Sequence, residues 1–130
     1  MNKKDAEIIA MLRSNARMKN TEIARKIGLT EGAIRARIAN LIEKGVIRKF
    51  TIETKPVGVE SIVLVESEAG RSRDILEKLK EIAETIFETS GEFDAAVMIR
   101  TADVDQLNSA VDLIREIPGV VRTSTLIRLA

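Results

Sequence analysis

The 130-residue sequence has no cysteine, no histidine, no tryptophan and no tyrosine. Without cysteine and histidine there are no disulfide bonds, no thiolate or imidazole metal sites, and no Cys–His or Ser–His–Asp catalytic groups. The sequence also lacks a Gly-x-Ser-x-Gly segment and a phosphate-binding glycine loop. The best acid–base pair that can be assembled is Glu92 with Asp94. We therefore predict a protein that is not an enzyme and that uses neither a metal nor a cofactor.

Long apolar segments are missing as well. The longest uninterrupted apolar runs, such as 95–99, have about five residues, whereas a membrane-spanning helix needs about 20. The first residues, Met1 to Asp5, lead into charged sequence with no apolar stretch behind them, so no secretory signal is expected. With 45% hydrophobic and 32% charged residues the composition is that of a globular protein. We expect a cytoplasmic protein with no membrane partner.

The small net charge of +1 hides an uneven distribution along the chain. Residues 1–58 contain 13 Lys and Arg against 6 Asp and Glu, a net charge of +7, whereas residues 59–130 contain 8 against 14, a net charge of −6. A basic region of this size favours a polyanion, and an acidic region is repelled by one. We therefore predict two domains with different partners, residues 1–58 and residues 59–130.

The first half has the apolar periodicity of three short helices. The first is predicted from Lys4 to about Asn15. The second is predicted to be capped by Asn20 or Thr21 and ended by Gly28, and the third to be capped by Thr30 and closed by Gly45. Residues 46–53 are β-branched and partly alternating, which predicts a short linking strand before Pro56 and Gly58.

The second half has the pattern β-α-β-β-α-β. Strands are predicted at 61–67, 86–88, 95–101 and 120–129, and helices at 71–83 and 103–117. This order is that of a ferredoxin-like fold, an antiparallel sheet with both helices on one face. The predicted fold class is therefore α+β, with an N-terminal domain of three helices followed by a ferredoxin-like domain.

The second and third helices are joined by a short turn, Gly28-Leu29-Thr30, which is typical of a helix-turn-helix. Because Ile34, Ile38 and Leu41 form the buried stripe of the third helix, its outer face is predicted to meet the DNA major groove. That face carries Glu31, Gly32, Arg35, Arg37 and Asn40.

Residue chemistry assigns provisional roles on this face. Arg35 and Asn40 are candidates for base edges, since Arg forks onto guanine and Asn onto adenine. Candidates for phosphate contacts are Thr30, Arg37 and Arg48, and Gly32 lets the helix N-terminus approach the backbone. One small module makes few contacts, so DNA binding is expected to need a homodimer whose third helices lie about 34–36 Å apart on a roughly palindromic site.

Taken together, these motifs resemble the leucine-responsive regulator and asparagine-synthase regulator (Lrp/AsnC, or feast/famine) family of transcriptional regulators. The resemblance rests on Asp5-x-x-Ile8-x-x-x-Leu12-x-x-Asn15-x-Arg17, Ile23-Ala24-x-x-Ile27-Gly28-Leu29-Thr30, Ile34-x-x-Arg37-Ile38-x-x-Leu41-x-x-x-Gly45-Val46-Ile47, Ser90-Gly91-Glu92-Phe93-Asp94 and Ile117-Pro118-Gly119-Val120-x-x-Thr123-x-Thr125. It covers the sequence nearly from end to end.

The resemblance implies a DNA-binding regulator with an N-terminal (winged) helix-turn-helix followed by a ferredoxin-like effector and dimerisation domain. Such regulators pair into dimers and often into higher rings such as octamers. It also implies an amino-acid effector bound between subunits near the loop Gly91 to Asp94. The effector candidates are Gly91, Glu92, Asp94, Thr123 and Thr125. Loop N–H groups can hold a carboxylate there, while Asp94 can pair with an ammonium group.

Two alternatives remain open at this stage. The helical head could contact protein, as part of a small-molecule sensing or oligomerisation module, although a net charge of +7 is not needed for that. A second alternative is an architectural protein that coats DNA through phosphates alone. Such a protein would bind all sequences equally, with strong salt dependence.

Overall fold

The computed structural model describes residues 1–130, and the chain divides between Glu53 and Thr54 into two structural units. None of its helices combines the length and the apolar character that crossing a bilayer requires. The order of helices and strands agrees with the helix-turn-helix and ferredoxin-like prediction.

The first unit consists of three helices, α1 (Lys3–Ser14), α2 (Asn20–Ile27) and α3 (Glu31–Glu43). Their shared core is made of the buried residues Ile8, Ile23, Ala24, Ile27 and Ile34. Two predicted helix ends are confirmed: Gly28 ends α2 with φ at 82°, and the Thr30 hydroxyl caps α3 by accepting a hydrogen bond of 3.1 Å from the Ala33 N–H.

The predicted cap of α2 is wrong. Asn20 is already the first residue of the helix, and the residue in the cap position is Lys19, which makes no side-chain cap bond. The Lys19 carbonyl instead accepts hydrogen bonds from the N–H groups of Glu22 and Ile23. The helix therefore starts without the side-chain oxygen that sequence rules prefer, and α2 depends on its packing against the core.

The predicted linking strand over residues 46–53 is also wrong for this chain. A strand needs a neighbour for its backbone N–H and C=O groups, and none of the four strands of the sheet pairs with this segment. Its apolar side chains Val46, Phe50 and Ile52 are exposed. The alternation in the sequence therefore has no pairing partner within one copy of the chain.

The second unit has six elements: β1 (Val59–Ser67), α4 (Ser72–Leu79), β2 (Thr85–Glu88), β3 (Ala95–Thr101), α5 (Val104–Arg115) and β4 (Val120–Ile127). The strands are all antiparallel, in the order β2-β3-β1-β4. Helix α4 ends at Leu79 and not at Ala83, because the N–H groups of Glu81 and Ile82 bond three residues back in a tight turn. That turn lets Ile82 and Ala83 pack against the core.

Only one face of the sheet is covered by helices. The core between the sheet and α4 and α5 contains Val63, Val65, Ala95, Val97, Ile99, Ile75, Leu79, Leu107, Val111, Ile114 and Ile117. Side chains alternate along a strand, so the neighbouring residues lie on the other face. We call this second face the open face; its apolar residues are Ile62, Leu64, Phe87, Ala96, Met98 and Leu126.

An ion-pair cluster lies at each end of the open face. At one end, Glu60 of β1 accepts hydrogen bonds from Arg100 at 3.1 Å and from Arg128 at 2.9 Å, and these guanidinium groups hold the pKa of the Glu60 carboxyl below its usual range. At the other end, Arg122 of β4 donates to Glu66 of β1 at 2.9 Å. Each cluster therefore ties the edge strand β4 to β1 through charged side chains.

Candidate functional site

The outer face of α3 is exposed and carries few large side chains. Gly32, Arg35, Ala36, Ala39 and Asn40 all lie on the side of the helix away from Ile34 and Leu41. The two alanines were not among the predicted site residues, because a methyl group gives no chemical signal in a sequence. Small side chains let a helix axis come close to the floor of a groove, and an alanine methyl can contact the thymine methyl.

Arg35 is the exposed cation of this outer face, and it is paired with Glu31 one helical turn earlier. Arg35 Nη2 donates to Glu31 Oε1; the Arg35 side chain is largely exposed to solvent and the Glu31 side chain is partly exposed. Glutamate followed four residues later by a cation is a favourable helical spacing. The geometry therefore holds the guanidinium along the helix surface in the protein without DNA.

Arg37 does not lie on the outer face, contrary to its predicted placement. Its Nη1 donates to Asp5 Oδ1 of α1 at 3.0 Å, and the Arg37 and Asp5 side chains are only 33% and 17% exposed. The bond spans from the first helix to the third, so it fixes the position of α3 against α1. This bond uses one of the five N–H donors of Arg37, and its contact with a phosphate stays a prediction.

The other predicted DNA residues are accessible. The Thr30 hydroxyl oxygen accepts the cap bond from Ala33, which leaves its O–H proton to donate to a phosphate oxygen. Asn40 lies exposed on the outer face, and Arg48 lies exposed in the segment that follows α3. Their contacts with DNA stay predictions.

Replacing Gly32 by Ala tests whether the outer face meets DNA closely. A Cβ atom built at Gly32 has no heavy atom within 4 Å, so alanine fits the folded protein and should stabilise α3 by up to about 1 kcal/mol. We expect the DNA affinity to fall severalfold in spite of this gain, because the new methyl group points towards the groove. Thermal unfolding measures the stability and duplex titration measures the DNA affinity. An unchanged DNA affinity would indicate that a different surface of the protein contacts the major groove.

The loop between β2 and β3 contains three of the predicted effector residues. Gly91 has φ at 104°, a conformation that favours glycine. Asp94 Oδ2 accepts hydrogen bonds from the Ser67 N–H at 2.7 Å and from the Ser67 hydroxyl at 2.9 Å. These bonds, the backbone one first, hold the pKa of the Asp94 carboxyl below its usual range. Asp94 is therefore an anion that fixes the loop to the end of β1.

Arg122 also holds this loop, a role that no pattern in the sequence indicated. Its Nη2 donates to Glu92 at 2.7 Å while its Nε donates to Glu66, and the guanidinium lies 4.7 Å from the centre of the Phe93 ring. Bonds to these two carboxylates, Glu92 first, raise the pKa of Arg122. The loop is thus anchored by one side chain from the edge strand.

The two predicted effector threonines lie elsewhere. Thr123 is paired with Val65 and Thr125 with Val63, so both project from the helix side of β4, opposite to Arg122. The Thr123 hydroxyl accepts a hydrogen bond of 3.1 Å from Arg115 of α5. Within one copy of the chain, the loop residues and the threonines do not come together, and their binding role stays a prediction.

Two family models match the chain. The model described as "Winged helix-turn-helix DNA-binding" matches residues 1–48, and the model described as "Lrp/AsnC ligand binding domain" matches residues 60–130. The first range contains helices α1 to α3, and the second contains the four-stranded sheet, except for Val59 at the start of β1, together with α4 and α5.

Curated relatives agree with this assignment. The HTH-type transcriptional regulator LysM of Saccharolobus solfataricus is 37% identical over 129 residues, which cover 96% of this chain and 91% of LysM. The HTH-type transcriptional regulator FL11 of Pyrococcus horikoshii is 39% identical over 132 residues, which cover 96% of this chain and 87% of FL11.

Among solved structures, a transcriptional regulator from Neisseria meningitidis in complex with L-Met covers 100% of this chain and 90% of its own, with a TM-score of 0.70 and 20% identity. At that identity the match shows that the fold is the same. The family models and the curated relatives go further, since both describe regulators of transcription and not enzymes. The chain therefore belongs to the Lrp/AsnC family of DNA-binding transcriptional regulators.

Proposed function

We propose that the protein regulates transcription as a homodimer that reads a specific, roughly palindromic DNA site. Residues 1–58 bind DNA, and residues 59–130 pair the copies and bind an effector. The observation that carries this proposal is the outer face of α3, where one arginine and one asparagine stand beside small residues, in the part of the chain (residues 1–58) that has a net charge of +7. Two such helices would enter successive major grooves about 34–36 Å apart.

The contacts divide into those that read bases and those that hold the backbone. Arg35 and Asn40 are the base-reading residues, because their side chains can fork onto guanine and adenine. Thr30 and Arg48 hold phosphates, and Gly32 admits the backbone close to the helix N-terminus. Arg37 acts indirectly through Asp5, by setting the position of α3.

The open face is the surface through which two copies pair. Its apolar residues form one continuous patch, unlike the single apolar side chains that are common on protein surfaces, and a charged cluster lies at each end of this patch. A two-fold contact presents the same surface on both sides, so the apolar centre of each copy would be buried against the other. Dimers built in this way can add further copies and form higher rings such as octamers.

The effector is an amino acid of the cytoplasm, the compartment in which we place the protein. The match to a ligand-binding domain and the L-Met complex of the Neisseria meningitidis protein support this class of ligand. Gly91, Glu92 and Asp94 lie in one anchored loop, whereas Thr123 and Thr125 project from the helix side of β4. A second copy of the chain would therefore complete a site that uses both groups.

Selection of bound duplexes from a random DNA library tests the proposal, at about 0.1–0.15 M salt and with and without pooled amino acids. Enrichment of an inverted repeat supports the specific dimer, and a change in enrichment with amino acids supports the effector. Arg35→Ala should cost about 1–3 kcal/mol of discrimination at one base position in each half-site. Retention of DNA without enrichment would favour an architectural coat, and no retention would favour a sensing module that contacts protein.

A further inference from the structure

Glu31 is an acidic residue on a surface that must approach a polyanion. It lies at the first position of α3 and accepts a hydrogen bond from Arg35, the exposed cation of the outer face. Glu43 is also exposed on α3 but lies at the opposite end of the helix and forms no ion pair. The two carboxylates therefore have the same charge and different relations to Arg35.

The pairing changes what Arg35 can do on different DNA sequences. Non-cognate DNA is held through phosphates, and a free arginine would add one such contact. The Glu31 carboxylate occupies one of the five N–H donors of Arg35, and it repels a phosphate that approaches the remaining four. A guanine edge is uncharged and accepts a bidentate contact through O6 and N7, so the same carboxylate opposes it much less.

We propose that Glu31 determines specificity by withholding Arg35 from phosphates while holding it in place to contact a base. Such a residue disfavours the wrong partner and leaves the right one nearly unaffected, which widens the difference between the two affinities. The proposal rests on the specific DNA binding proposed above and assigns the role of one residue within it.

Glu31→Gln tests this role, with Glu43→Gln as the control for the loss of one negative charge on the same helix. Affinities are measured for the selected site and for a scrambled duplex at several salt concentrations. For Glu31→Gln we expect the ratio of the two affinities to fall about tenfold, mainly because scrambled DNA binds more tightly. For scrambled DNA, the slope of log affinity against log salt concentration (the salt slope) should steepen by about 0.9, the value for one further phosphate contact.

Glu43→Gln should raise both affinities alike and leave their ratio unchanged. The same pair of measurements in an Arg35→Ala background provides a double-mutant cycle, in which Glu31→Gln should no longer change the ratio or the slope. A role of Glu31 in helix stability alone would not disappear when Arg35 is removed.

Two results would overturn the proposal. In the first, Glu31→Gln behaves like Glu43→Gln and raises both affinities equally. In the second, its effect persists without Arg35. If the library yields no preferred sequence, specific regulation itself fails; the salt slope on scrambled DNA still decides the role of Glu31, and an unchanged slope would then reject it.

Discussion

Exchanging the charges of Asp5 and Arg37 is expected to restore most of the DNA affinity that either single substitution removes. Arg37→Asp leaves two carboxylates facing each other between α1 and α3, at a site where the partners are 33% and 17% exposed. Breaking a pair that is largely withdrawn from water costs more than losing a surface ion pair. We expect the displaced α3 to bind the selected site about 10- to 100-fold more weakly, with recovery in Asp5→Arg/Arg37→Asp.

The exchange separates positioning from direct contact. If Arg37 held a phosphate, moving its charge to α1 would not restore binding. The slope of log affinity against log salt concentration would then stay shallower by the amount that one phosphate contact contributes. Duplex titration at several salt concentrations measures both quantities, and thermal unfolding reports the stability of each variant. A double variant that binds as weakly as Arg37→Asp alone would indicate that Arg37 contacts DNA directly.

Placing an aspartate at the centre of the open face is expected to dissociate the homodimer proposed above. Ile62 is 40% exposed in the single chain and lies between Leu126 and Met98 on the neighbouring strands. In a two-fold contact, Ile62→Asp buries two carboxylates in an apolar surface, at a cost of at least several kcal/mol. We expect the dimer dissociation constant to rise by about 100-fold or more, and binding to an inverted repeat to weaken towards that of one half-site.

The control is Leu113→Asp, which adds the same charge at a leucine that is 55% exposed on α5. Both positions already face solvent in a single copy, so each variant should keep its fold, as circular dichroism can verify. Sedimentation velocity gives the mass of each protein in solution. If Ile62→Asp sediments with the same mass as the unmodified protein, the copies pair through another surface.

Local signals in the sequence were sufficient for much of this fold. Gly28 and Thr30 mark the turn because their preferences act within a few residues, and the bounds of β3 follow from a short apolar run. The sheet order follows from the β-α-β-β-α-β pattern, since a split βαβ unit places β1 beside both β3 and β4. The start of α2 and the end of α4 were less well predicted, because tertiary packing decides where these short helices begin and end.

The site was harder to predict because its decisive contacts join distant positions. Arg37 has the spacing of a residue beside the buried stripe, and only the approach of α1 brings Asp5 within reach of it. Arg122 and Ser67 hold the loop at Glu92 and Asp94. The spacing of apolar residues along the sequence does not predict that these distant residues come together. Residues 46–53 have the pattern of a strand, yet a pattern cannot supply the neighbour that a strand requires.

The sparse outer face of α3 limits how much sequence one copy can recognise. Under the proposed roles of Arg35 and Asn40, their bidentate contacts read about two base pairs in each half-site and about four in the site of a dimer. Four defined base pairs recur by chance roughly once in 250 positions, against at least about 10⁶ competing positions in a genome. A promoter controlled by this protein would therefore be distinguished by several sites in phase, so that the arrangement of copies along the DNA carries information that no single helix contains.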